Sequence, residues 1–257
     1  MASEDPIGIG KRSYTLIAKQ TDYDTEASTG FVTIPALLDE TIEAMTGKVP
    51  NESAFGDNNP NAMDAGNVAV AGNVKGYVLD EDFGDVVNFV FGGLTKTTPS
   101  GQTNARRHQF SYKADRDEDV FASYLTIRQT RGGGLEEQFI GAMATGLTIE
   151  ATQSEDGAFA MFTMPVAGGE FEDEQPRTSS ITLPSGQRLQ ARNINVELAP
   201  ISGTYATLGQ VKSVSISIDN MLHATEYSLG EEKADAPERL NLPAISVSTE
   251  ILSLIHI

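Results

Sequence analysis

Hydrophobic and polar positions alternate with a period of two over much of this chain. A helical period appears in only two short stretches. Val211–Asp219 shows the alternation cleanly: Val214, Ile216 and Ile218 fall on one side, and Ser213, Ser215 and Ser217 on the other. That period marks a strand with one face buried and one face solvated. The same pattern predicts strands at 13–19, 31–34, 67–79, 108–113, 121–128, 139–151, 158–164, 193–198 and Ala244–Ile251. Within 139–151, Met143, Thr145, Leu147, Ile149 and Ala151 share a face. The turn signal Glu155-Asp156-Gly157 joins this strand to 158–164 as a hairpin. Strands 108–113 and 121–128 form a second pair, linked by ADRDED.

The clearest helix is 82–91, inside LDEDFGDVVNFVFGG. Phe83, Val86, Val87 and Val90 sit at i, i+3, i+4 and i+7, which puts them on one face. Asp80 or Asp82 is placed to cap its start. Gly92-Gly93 ends it, because glycine takes the left-handed cap without a Cβ penalty. Residues 36–45 (ALLDETIEAM) fit a second short helix through Leu37, Leu38, Ile42 and Met45, stopped by Gly47 and Pro50. Polar, turn-rich sequence predicts loops at 48–66, 96–107 and 168–180, and 231–243 is a charged linker. No repeat or internal boundary appears. The expectation is one mainly β domain over 1–251, a β-sandwich or open barrel with one short flanking α-helix.

At 257 residues the chain is long enough to bury a substantial core. It has no run of 18 apolar residues, so no membrane-spanning helix is predicted, and its acidic start, MASEDPIGIG, lacks the pattern of a signal peptide. The absence of cysteine excludes disulfides, thiol nucleophiles and cysteine-bound zinc. The formal net charge of −18 opposes nucleic-acid binding through the overall field. That charge serves solubility, or some of its carboxylates line a surface that must not hold DNA. The last residues, 252–257 (LSLIHI), back-translate to CTG TCT CTT ATA CAC ATC, which looks like a widely used transposase sequencing adaptor. We expect 252–257 to be an adaptor-derived scar, with the reading frame cut inside the final strand.

No catalytic motif stands out. Asp115, Asp117 and Asp119 begin like a calcium loop, but Val120 and Thr126 occupy the positions that need glycine and glutamate. The acids Asp80, Glu81, Asp82 and Asp85 fit helix capping better than a cation site. Gly132-Gly133-Gly134 lacks the Gly-Lys-Ser/Thr of a phosphate loop. His108 and His223 have no metal-like spacing, and Arg106-Arg107-His108 is the sole basic cluster. The absence of tryptophan argues against a carbohydrate-stacking cleft. No catalytic, cofactor-binding or metal-ligating residue is assigned, and no cofactor is expected.

The order of the elements carries a resemblance. The strand GNVKGYV leads into the helix EDFGDVVNFVFGG. The strand GAMATGLTIEA, opening on Gly-Ala, pairs with GAFAMFTM, and the late strand VSISIDN runs into Asp219-Asn220. This series, covering about 13–251, resembles the tail tube (major tail) proteins of long-tailed bacteriophages. The acidic loops at 48–66 and 168–180 depart from it. The resemblance implies a structural virion protein and not an enzyme. Hexameric rings would stack into a tube, with inner strands closing into a continuous barrel around an acidic lumen. DNA would pass through that lumen to the host without specific binding. Further implied partners are the tape measure protein and the tail tip and terminator proteins. Assembly would take place in the bacterial host cytoplasm, without membrane insertion. The arm 1–11 and the loops 48–66 and 96–107 are the candidates for ring-to-ring contact. The alternative is an acidic β-sandwich that decorates a virion or binds a surface ligand.

Overall fold

A computed structural model of the chain describes residues 14–34, 42–50, 63–101, 107–112, 123–130, 135–154, 158–198, 203–207, 211–224, 226–229, 235–239 and 241–251. The first elements are β1 (Tyr14–Lys19), β2 (Val32–Ile34), β3 (Glu43–Pro50), β4 (Met63–Tyr77) and helix α1 (Phe83–Phe91). Next come β5 (Gly92–Thr97), β6 (Arg107–Tyr112), β7 (Leu125–Thr130), β8 (Leu135–Ala144) and β9 (Gly146–Thr152). They are followed by β10 (Met161–Ala167), β11 (Glu170–Pro176), a 3-10 turn at Ala191–Asn193, β12 (Glu197–Leu198) and β13 (Ala206–Thr207). The last are β14 (Val211–Asp219), β15 (Leu222–His223), β16 (Glu238–Arg239) and β17 (Ala244–Ile251).

The predicted sandwich is observed, and one long strand builds it. β8 and β9 are separated only by Thr145. The β8 half lies in a first sheet ordered β2-β1-β7-β8-β11, and the β9 half in a second ordered β3-β4-β10-β9-β14-β17; the end of β10 also pairs with β8, at Val166–Ala144 and Ala167–Met143, so the two are joined in one 11-stranded path. All pairings within both sheets are antiparallel. The path does not return on itself, so the sandwich is open and is not a closed barrel. Gly141 lies in β8 where its register with β7 shifts, at φ +78, and a Cβ there would stand 2.7 Å from Tyr23. Only glycine takes that conformation without strain.

Alternation fills the core. Ile17, Ile127 and Phe139 lie in register across the first sheet, all fully buried. Val74 faces Met164 across β4 and β10, and Ile149 lies between Phe162 and Ile216. Helix α1 adds Val86, Phe89 and Val90 to the same cluster, and Phe83 meets Phe162 at a ring distance of 5.5 Å. Each such side chain contributes about 1.5–3 kcal/mol when fully buried. The helix stops at Gly92 as predicted, at φ 86, with its N–H bonded to the Asn88 carbonyl. Its start differs. Asp82 occupies the N-cap position without a side-chain bond, and Asp80 Oδ1 instead accepts the Gln187 N–H at 2.7 Å.

Other expectations are corrected. Residues 43–45, assigned to a helix, begin β3, while 36–41 lie outside the described residues. Ile42 and Ala44 alternate with Glu43 and Met45 as well as they fit a helix, and pairing along β4 decides the conflict. The expected loop at 48–66 contains the ends of both strands, with 51–62 outside the described residues. The loop at 168–180 contains β11, where Phe171 packs on Phe139 at 5.4 Å. β6 pairs with β5 and not with β7, which lies between β1 and β8. Of 193–198 only Glu197–Leu198 pairs as a strand.

Two side chains knit the layers. Lys19 Nζ, at the end of β1, donates to Asn88 Oδ1 at 2.8 Å and to the Gly92 carbonyl at 2.7 Å. A cation there also meets the negative end of the helix dipole. Asn220 is fully buried, and its Nδ2 donates to the Val90 carbonyl at 3.0 Å and the Ala144 carbonyl at 2.9 Å. Its own N–H donates to the Thr145 carbonyl at 2.9 Å. Asp219 shapes the adjoining turn by accepting the Met221 N–H at 2.8 Å.

The outer face of the first sheet is covered too. The Tyr14 hydroxyl donates to the buried carboxylate of Glu136, which also accepts Thr178 N–H at 2.7 Å and Thr178 Oγ1–H at 3.1 Å. Burial first, and then the Glu136 carboxylate, push the Tyr14 phenol up to about 12.

Replacing Asn220 by Ala leaves two buried carbonyls without their donor, and stability is expected to fall by about 2–3 kcal/mol in a denaturant titration. Tyr14, raised from its ordinary 10 to about 12, contributes stability that is complete below pH 10 and lost as pH rises through 12. In an alkaline absorbance titration one of the seven tyrosines should ionise last, and Tyr14→Phe should remove that late phase.

Candidate functional site

The alternation that buries one face of the second sheet leaves its other face polar. On β14 that face carries Ser213, Ser215 and Ser217. In register with them lie Glu250, Ser248 and Ser246 of β17, and Thr152, Glu150 and Thr148 of β9. Beyond β9 the rows continue through Met161 and Thr163 of β10 to Tyr77 and Lys75 of β4. The sequence singled out the serine side of β14, and the structure extends it across five strands.

Short hydroxyls bond sideways along this surface. Thr148 Oγ1 and Ser217 Oγ lie 3.4 Å apart, and Ser213 Oγ donates to Glu250 Oε2 at 3.4 Å. Lys212 Nζ pairs with Glu250 Oε1 at 3.2 Å across exposed side chains. A half-open groove of about 330 Å³ crosses the face between Lys75, Glu150, Phe159, Met161 and Thr163. At its rim Arg188 stacks over Tyr77 at 4.4 Å and over Phe159 at 5.6 Å. The groove holds hydroxyls, one carboxylate and one ammonium, with no histidine or thiol among its lining.

The edge strand of the same sheet is apolar on its opposite face. Ile245, Val247 and Ile251 lie in register with buried Ile218 and half-buried Ile216 and Val211, and are 60%, 63% and 46% exposed. Among the described residues β17 has no partner on its far side, and β3 ends the sheet at the other side.

The residues considered for chemistry do not converge. Asp80 and Glu81 bond to the 185–187 segment, through Gln187 N and Ser185 Oγ. His108 lies in β6, edge-on to Phe110 at 6.3 Å, and His223 stands 3.5 Å from Glu226. Asp115, Asp117 and Asp119, Arg106, the arm 1–11 and the tail 252–257 lie outside the described residues. Among the described residues no three His, Cys, Asp or Glu side chains gather as metal ligands, and no helix is long and apolar enough to cross a membrane. Sequence reasoning missed Glu136 and Asn220. A buried carboxylate has no local signature, and the Asp-Asn pair was the only pointer to the second.

No curated protein matches this chain. The family description for phage tail tube protein matches residues 10–251, nearly the whole length, and so takes in both sheets, the helix and the Asp219-Asn220 turn. The chain therefore belongs to the phage tail tube protein family, whose members are structural components of the virion tail.

Proposed function

We propose that this protein forms stacked hexameric rings, and that the polar face of the second sheet lines the lumen through which DNA reaches the host. The observation that supports this most directly is the contrast between the two faces of that sheet. One face is core; the other presents Ser, Thr and carboxylates, with Lys75 as the cation among its rows. Duplex DNA carries a charge about every 1.7 Å, and a wall rich in lysine or arginine would hold it. A hydroxyl and carboxylate wall repels it weakly and lets it slide.

Ring closure fits the two ends of the sheet. β17 of one subunit meets β3 of the next, so that the inner sheets become continuous and no open edge remains to aggregate. Ile245 and Val247, exposed in the isolated subunit, are then covered. The functional unit is one tail-tube domain over 1–251, with no catalytic role. Its other partners are the tape measure protein inside the lumen and the tail tip and terminator proteins at the tube ends. Assembly occurs in the host cytoplasm.

Electron microscopy of the purified full chain is expected to show rings or tubes. The double variant Ile245→Asp, Val247→Asp should retain its circular dichroism yet remain monomeric in sedimentation; assembly like the parent would refute β17 as a ring contact. In phage carrying Ser215→Lys and Ser217→Lys, tails should assemble but eject DNA more slowly. Unchanged ejection would place the lumen on another face.

A further inference from the structure

Between β11 and the bridge at Arg188 the chain runs through 177–187 without helix or strand. The middle of this strap, 179–184 (SSITLP), makes no hydrogen bond with a described residue. Leu183 is 74% exposed there, and Ser179, Ser180 and Thr182 are exposed beside it. Carboxylates pin both ends. On the β11 side, the buried Glu136 carboxylate accepts the Thr178 N–H and hydroxyl, and Arg177 lies over the Tyr14 ring at 5.4 Å. On the other side, Asp80 Oδ1 accepts the Gln187 N–H, and Glu81 Oε2 accepts the Ser185 hydroxyl at 3.1 Å. Leu189 N–H then reaches the Val78 carbonyl at 2.9 Å.

We propose that the Thr182–Leu183 peptide bond is a site of endoproteolytic cleavage, and that the cut chain keeps its fold. An extended segment held in a binding cleft is gripped through its main-chain hydrogen bonds, as an added strand would be. Residues in a ladder or helix must first give up their own bonds, and 179–184 has none to give up. Side chains choose the bond. Leu183 offers an exposed branched aliphatic side chain, whereas Ile181 is half-buried. Pro184 disfavours cutting after Leu183, because its ring carries no N–H and restricts the residue before it. The partner is therefore an endoprotease that seats a branched aliphatic side chain on the amine side of the cut. Water adds to the Thr182 carbonyl carbon and the C–N bond to Leu183 breaks. The products are a carboxylate on Thr182 and an ammonium group on Leu183.

Contacts elsewhere hold the two pieces together. The piece from Leu183 onward carries β14, which lies between β9 of the other piece and β17. It also carries Asn220, bonded to the Val90 and Ala144 carbonyls of the other piece. Glu136 retains the chain at Thr178, and Asp80 retains it at Gln187. Opening at 179–184 is local, at the low end of the opening free energies within a fold.

The test digests the full chain with thermolysin, which cuts before branched aliphatic residues. Mass spectrometry should find a new N-terminus at Leu183. The two pieces should co-elute with the circular dichroism of the parent until denaturant is added. Leu183→Gly should slow this cut roughly tenfold or more. Asn220→Ala, which weakens the whole fold, should leave the rate unchanged, because cutting does not pass through the unfolded chain. Absence of the Leu183 terminus, or pieces that separate and lose their dichroism, would overturn the proposal. A rate that rises with the loss of stability in Asn220→Ala, roughly thirtyfold, would also overturn it and assign the cut to global unfolding.

Discussion

The bend at Thr145 is the constraint on which the rest of the fold depends. A single strand enters as β8 in one sheet and leaves as β9 in the other, so the two layers cannot shift independently. A bend in a shared strand takes backbone groups out of the regular ladder, and buried polar groups must find partners elsewhere. Asn220 supplies them. Its backbone N–H takes the Thr145 carbonyl, and its amide bridges the Ala144 carbonyl to the Val90 carbonyl of the helix. Thr145 N–H bonds to the Pro165 carbonyl on the other side. One side chain thus fixes the angle between the sheets and the position of the helix that fills the gap. Lys19 repeats the logic from the first sheet by holding the helix's C-terminal end.

With the layers locked, the second sheet becomes a plate with two unlike faces. One apolar row runs from buried Phe162 through half-buried Ile149 and Ile216, and then continues past the edge of the core onto Val247. An exposed aliphatic row on an edge strand is a hazard for a free monomer and an asset for a subunit that assembles. The polar face has the opposite property, since its short hydroxyls bond along the sheet. The same alternation therefore produces an exposed aliphatic edge and a polar hydroxyl face.

Much of this was legible in the sequence because period two and glycine stops are local signals. β14, β17, the helix and its stop at Gly92 fall where the pattern placed them. The failures share a cause. Residues 43–45 satisfy a helical and a strand pattern at once, and only the β4 edge chooses between them. β11 is so acidic that composition predicts a loop, yet Phe171 against Phe139 and the β8 ladder outweigh that preference. The partners of β6 and β7 were misassigned because pairing depends on what lies adjacent in space. The polar face was half legible: the serines of β14 announced it, but its extent follows from registers that no single strand encodes.

The distribution of cations gives the charge its meaning. Many described cations are tied to the subunit's own structure. Lys19 caps the helix, Arg128 sits between Glu26 and Phe31, Arg177 lies over the Tyr14 ring, and Arg188 stacks on Tyr77 and Phe159. A subunit with net charge −18 repels its copies at long range, and salt screens that repulsion within about 10 Å at 0.1 M. Any contact between copies acts against this field and is favoured in orientations where opposite charges come close. Long-range repulsion offset only where opposite charges meet suppresses wrong pairings more than right ones.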